Sequence, residues 1–240
     1  MAKKRSRSRS GGSRSGGSRS RAPGAGEADG VAATTAATTA AGLAGLEARI
    51  ARREPLVVVA IGLVALALRG LHLWQAAAND PFFYLPSVDP KVFHDWASAI
   101  AAGDWLGEDA FFLSPLYPYF LALVYTVTGP SVLAAKIVQA LLGAGSCVLT
   151  YAVTRRLFGR VAAVVAGGLL AVYSMSIFYD SVMLVTAIQT PLNLLVVLAL
   201  LRAERSGARR WWLAGGVLLG LSALARPNVL LLAGLVLPWA

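Results

Sequence analysis

Apolar residues in this chain come in runs close to bilayer length rather than in the short stripes of a soluble core. From residue 55 onward the runs are 56–74, 115–128, 131–154, 161–178, 182–201, 211–225 and 229–239. The first follows Pro55, which suits the opening turn of a helix. At 1.5 Å per residue it covers about 28 Å, one hydrocarbon core. Arg69 and His72 lie near its far end, where snorkelling toward an interface marked by Trp74 is expected. The run at 115–128 contains Pro115 and Pro118, is rich in Tyr, and is short for a span. Residues 75–112 are soluble-like and carry Pro81, Pro86 and Pro90. Within them Val92, Phe93, Trp96, Ala99 and Ile100 recur at roughly helical spacing. They predict a short amphipathic helix over 92–102, of a kind that lies on a membrane surface.

The N-terminal region differs. Residues 1–30 are Arg/Ser/Gly-rich without apolar periodicity and read as a disordered basic tail. Residues 31–54 are Ala/Thr-rich and turn amphipathic through Leu43, Leu46 and Ile50, the pattern of a short interfacial helix. No secretory signal is indicated, because about fifty residues precede the first apolar run.

Composition agrees with the pattern. Of 240 residues, 57% are hydrophobic and 14% charged, and the mean hydropathy is +0.63. Soluble domains are nearer a quarter charged. The net charge of +10 resembles a nucleic-acid signal. Its distribution argues otherwise: residues 1–54 hold eleven Lys/Arg against four acids, and most other bases sit in short loops. Basic short loops orient membrane proteins, so no specific nucleic-acid partner is expected. Cys147, the one cysteine, excludes an intrachain disulfide and reads as a small core residue.

Charge parity sets the expected topology. The loops RRLFGR at 155–160 and RAERSGARR at 202–210 are separated by two long runs and so lie on one side. If that side is cytoplasmic, the N-terminal tail shares it. An even number of crossings must then separate residues 54 and 155. The runs 56–74 and 131–154 supply two, which leaves 115–128 interfacial or re-entrant. The expected domains are a tail with a possible interfacial helix at 1–54 and a transmembrane domain at 55–240, with an outer loop at 75–130. That loop holds six acids, Asp80, Asp89, Asp95, Asp104, Glu108 and Asp109, against Lys91. The chain ends just after Trp239 and reads as the N-terminal part of a longer protein.

Several residues have alternative readings. Asp89 either caps a helix starting at Pro90 or serves as a general base outside the membrane. Asp95 reads as a solvated helix residue, and Asp104, after Gly103, as a turn or cap residue. Asp180, in the connection Tyr179-Asp180-Ser181, either caps the following helix or faces Asp89 across a cavity. Lys136 and Arg226, at outward ends of apolar runs, either snorkel or hold a lipid phosphate. His72 and His94 form no metal pattern; carboxylate plus His ligation of a divalent ion stays open, and nothing demands it.

The loop VDPKVFHDWASAIAAGDWLGEDAFFLSPLYPYFLALVYTVTG resembles the first loop of C-superfamily membrane glycosyltransferases, especially bacterial family 39 or protein mannosyltransferase-like members. The matching positions are Asp89, Phe93, Gly103-Asp104-Trp105 and Pro115-Leu116-Tyr117. Further matches are RRLFGR, IFYDSVML at 177–184, and RRWWLAGGVLLGLSALARPN at 209–228. The resemblance implies an all-α polytopic membrane protein, the N-terminal part of a multi-span glycosyltransferase fold with amphipathic interfacial helices in its first outer loop. It implies an inverting transferase in the bacterial cytoplasmic membrane. A sugar would pass from a polyprenyl-phosphate donor to an acceptor on the outer face, without a cofactor. Asp89 would deprotonate the acceptor, and Lys136 and Arg226 would neutralise the leaving phosphate. Ser114 stands where some members have an acid before the Pro-Leu-Tyr motif. Others carry a Glu after the second outer loop, where this chain has Thr186 and Ala187. Asp180 or Glu108 is the candidate second acid. The competing functions are a transporter or flippase of a lipid-linked substrate and a non-catalytic membrane scaffold.

Overall fold

The computed structural model describes residues 25–106, 113–231 and 234. The chain divides into two compact units, residues 1–44 and 45–240. Helix α1 (Ala25–Arg52) begins inside the stretch read as tail, as its Ala-rich composition favours. The rest of the tail, residues 1–24, lies outside the described residues.

The regular structure described in the second unit is helical. It contains α2 (Glu54–Asn79), α3 (Asp89–Ala101), α4 (Leu116–Thr128), α5 (Val132–Phe158), α6 (Arg160–Val172), α7 (Ser174–Ser181), α8 (Thr186–Ser206) and α9 (Arg209–Ala225), then a 3₁₀ turn at Pro227–Val229. No strand occurs among the described residues. Helices α2, α5 and α8 are each long and apolar enough to cross a bilayer. Helices α6 and α7, bent by 53° at Tyr173, together pass the same test as one broken span. This is an all-α polytopic membrane protein. Helix α4 has 13 residues, an axial rise of about 20 Å and well under a hydrocarbon core.

Helix α5 is the centre of the bundle, with α2, α6, α7 and α8 packed on it. Small side chains allow the close approach. Gly143, Ala144 and Cys147 of α5 are buried, as are Ala65 of α2 and Ala163 and Gly167 of α6. In a membrane this packing replaces the hydrophobic drive, since lipid is as apolar as leucine. Large apolar side chains face outward instead, among them Leu63, Leu169 and Leu213.

A second cluster joins α3 and α4 to the bundle. Phe93, Ala97 and Ile100 pack with Tyr117, Leu121, Tyr125, Val132 and Ile188. The predicted helix over 92–102 therefore exists, beginning slightly earlier. His94 Nδ1 and the Tyr125 hydroxyl lie 2.8 Å apart and tie the pair together. Burial pushes the Tyr125 phenol up to about 12, so it stays protonated in this contact.

One end of the bundle gathers charge. Arg155 Nη1 meets Glu54 Oε1 at 2.6 Å, and Arg160 Nε meets Glu54 Oε2 at 3.0 Å. Arg205 Nη2 donates to the Arg156 carbonyl at 2.6 Å. The start of α2, the α5–α6 corner and the end of α8 thus meet. Gly159 makes the corner, with φ +89° in a region that favours glycine.

Candidate functional site

At the opposite end, polar residues converge from α2, α4, α5 and α7. Arg69, expected to snorkel, is instead 1% exposed. Its Nε donates to Asp180 Oδ2 at 2.8 Å, and its Nη2 donates to Ser176 Oγ at 3.1 Å. A buried guanidinium requires such partners, because α2 carries it too deep to reach water. Gly143 makes room: a Cβ there would overlap Asp180 Oδ2 and lie 2.6 Å from Arg69 Nε.

Asp180 therefore sits in the last turn of α7, not in an outward loop. It does not cap the next helix: α8 begins after Val185 and has no side-chain cap. The connection runs over residues 182–185 instead. The reason is a side-chain cap from α5. Gln139 Nε2 donates to the carbonyls of Asp180 and Val182 at 3.0 and 2.9 Å, satisfying groups that a helix end leaves open. Gln139 Oε1 accepts from the buried Tyr117 hydroxyl of α4. His72 Nε2 lies 3.1 Å from Ser181 Oγ. The network locks the α7 terminus against three other helices.

Beside it lies a cavity of about 360 Å³. His72 and Ala76 of α2, Asp80, Phe83, and Lys136 of α5 are among its lining residues. Ser181 to Met183 complete the wall next to the α7 terminus. Lys136 is half-buried; its Nζ donates to the Phe83 carbonyl at 2.7 Å and lies 3.7 Å from the Phe83 ring centroid. One of its three N–H groups is so engaged. Asp80 is close enough to act on the Lys136 charge, while its Oδ1 accepts from the Phe82 amide at 2.9 Å. The cavity thus combines a cation with imidazole, carboxylate and hydroxyl groups, an arrangement able to hold a phosphate and orient a polar ligand.

The rim of this cavity includes Ser87 and Pro90, which bracket Asp89. Asp89 is exposed and opens α3, with Val88 at the N-cap position and no side-chain cap bond. The capping reading of Asp89 therefore fails, and its carboxylate has no partner among the described residues. Val88 has φ +57°, the only positive φ at a described non-glycine position. For a β-branched residue this is a strained conformation, of the kind that collects at functional sites.

The remaining candidates are dispersed. Asp95 pairs with Lys91 at 2.5 Å on the exposed face of α3. Asp104 follows Gly103 at the end of that helix and is exposed. Arg226 follows α9, is exposed, and is not among the residues lining the cavity. Glu108 and Asp109 lie outside the described residues. No group of three or more His, Cys, Asp or Glu residues is placed to hold a metal among the described residues. Arg69, His72, Asp80 and Gln139 went unrecognised as site residues from sequence. The usable signal was Arg69 itself, an ionisable residue inside an apolar run.

Residues 113–239, more than half the chain, match the family described as dolichyl-phosphate-mannose-protein mannosyltransferase. The chain belongs to this family. Its members are glycosyltransferases that draw on polyprenyl-phosphate sugars. No curated protein and no solved structure matches the chain. In this mannosyltransferase-family chain the matched segment includes Lys136, Gln139, Asp180 and Arg226, whereas Asp89 and the strained Val88 precede it.

Proposed function

We propose that the chain forms the lipid-proximal part of a glycosyl-transfer site on the outer face of a bacterial cytoplasmic membrane. The donor is a polyprenyl-phosphate sugar, and the cavity beside Lys136 receives its phosphate. Asp89 takes the proton from an acceptor hydroxyl. The resulting oxygen attacks the anomeric carbon on the face opposite the phosphate, inverting that centre. The carbon–phosphate oxygen bond breaks, its electron pair leaves with the lipid phosphate, and Lys136 stabilises that charge. The acceptor's identity is left open. Asp180 acts here by fixing Arg69 and the α7 wall, not by touching substrate.

The observation that carries this reading is the half-buried Lys136 ammonium in a cavity whose lining residues Ser87 and Pro90 bracket the unpartnered, strain-preceded Asp89. Topology supports it as well. Glu54, the α5–α6 corner and the α8 end meet at the opposite pole, so the cavity belongs to the side away from the basic loops. The decisive experiment measures sugar transfer by the full-length protein in membranes, wild type against Asp89→Asn. Loss of turnover with donor binding retained is expected; unchanged turnover in a folded Asp89→Asn protein removes Asp89 as the base.

A transporter or flippase of a lipid-linked substrate is favoured by two features, the buried Arg69–Asp180 pair and the bent α6–α7 span. Transbilayer movement of a fluorescent polyprenyl-phosphate analogue in vesicles, without sugar transfer, distinguishes that reading.

A further inference from the structure

A second cavity, also about 360 Å³, lies at the other pole. Arg155, Arg156, Gly159, Arg160 and Arg205 line it. Arg156 and Lys136 are about 30 Å apart along α5 at 1.5 Å per residue. No donor phosphate seated at Lys136 reaches it.

Its charges are unequally compensated. Arg155 and Arg160 share Glu54, and Arg160 also approaches Glu47 at 3.9 Å. Arg156 and Arg205 have no carboxylate partner among the described residues. Arg156 Nη1 donates to its own helix at Ala152 O, 2.9 Å away, and Arg205 Nη2 to the Arg156 carbonyl. Arg155, Arg202 and Arg205 are all near enough to Arg156 to repel its charge. Guanidinium groups from two distant chain segments are thus held around one cavity with donors to spare, a form that fits phosphate oxygens.

The surroundings are those of a bilayer interface. Leu157 and Phe158, at the same corner, are 50% and 74% exposed. Arg202 lies 4.8 Å from the Trp211 ring centroid on the adjoining α8–α9 turn. Apolar surface beside a basic cavity matches a molecule with a phosphate head and acyl chains.

We propose that this cavity is a binding site for the headgroup of an anionic phospholipid, held chiefly by Arg156 and Arg205. The site is independent of the glycosyl-transfer reading. It ties the α5–α6 corner to the end of α8 through a lipid instead of a protein carboxylate.

The test is native mass spectrometry of the purified full-length protein titrated with phosphatidylglycerol or phosphatidylcholine. Wild type should retain phosphatidylglycerol preferentially, with the preference falling about fivefold for each of Arg156→Gln and Arg205→Gln. Arg205→Gln alters an exposed side chain whose one bond is to a backbone carbonyl, so it keeps the test valid if Arg156→Gln misfolds. Arg209→Gln, which removes one charge from an exposed position outside the cavity, serves as the equal-charge control. An equal loss in that control means general surface attraction and overturns the site. Displacement of the lipid by millimolar inorganic phosphate assigns the cavity to free phosphate and overturns the lipid assignment. Equal retention of both lipids by wild type overturns the proposal outright.

Discussion

Arg69 of α2 and Asp180 of α7 meet at 2.8 Å across Gly143 of α5, with Arg69 1% exposed. Three helices from distant parts of the chain thus meet at one ion pair. Removing one partner strands the other charge in a low-dielectric interior.

Asp180→Leu or Arg69→Met should therefore cost about 3–5 kcal/mol of stability. The paired replacement Arg69→Met/Asp180→Leu should recover much of it, since an apolar pair leaves no stranded charge. Chemical denaturation in mild detergent measures all three. Additive losses in the double variant would refute the coupling.

Gly143→Ala tests the same junction by steric means. The added methyl overlaps Asp180 Oδ2, so the pair or the α5–α7 spacing must shift. A loss of about 1–3 kcal/mol is expected. Gly145→Ala, with nothing near its Cβ, is the control and should be neutral or slightly stabilising.

Tyr117→Phe leaves Gln139 Oε1 without its buried donor. The expected cost is about 1–3 kcal/mol. Tyr117→Phe/Gln139→Leu should cost less than the sum of the single changes, as read by a double-mutant cycle on thermal unfolding.

Lys136→Gln should lower kcat/KM for the lipid-linked donor by about 10²–10³-fold, the usual cost of removing a group that stabilises developing charge. Lys136→Arg should retain part of the rate. A pure rise in KM for Lys136→Gln, with kcat unchanged, would assign Lys136 to donor binding that is equal in the ground and transition states, not to stabilising the developing charge.

Thr128→Cys and Leu157→Cys test the sidedness of α4. Both positions are exposed, while native Cys147 is fully buried and silent. An impermeant maleimide added to intact cells should label Thr128→Cys and spare Leu157→Cys. The opposite result makes α4 a crossing.

The α-helical membrane character of this chain was legible without a structure, because bilayer thickness imposes run lengths that the order of apolar residues displays. The short 115–128 run was legible for the same reason, since a 13-residue helix such as α4 is too short for a core. Asp89 and Lys136 could be selected as candidates because an acid in an outer loop and a base at a span end carry chemistry wherever they fold. Their neighbours could not be read. Arg69 and Asp180 are 111 residues apart in sequence, and no local spacing announces the contact; it exists because Gly143 lets α2 and α7 close on α5. The end of α7 was misplaced for a similar reason. Apolar runs do not reveal that Gln139, from another helix, will satisfy the carbonyls of Asp180 and Val182. Local pattern determined which segments enter the membrane. Close packing between segments decided which polar groups are buried together, and so which of them border a cavity and which only hold its wall in place.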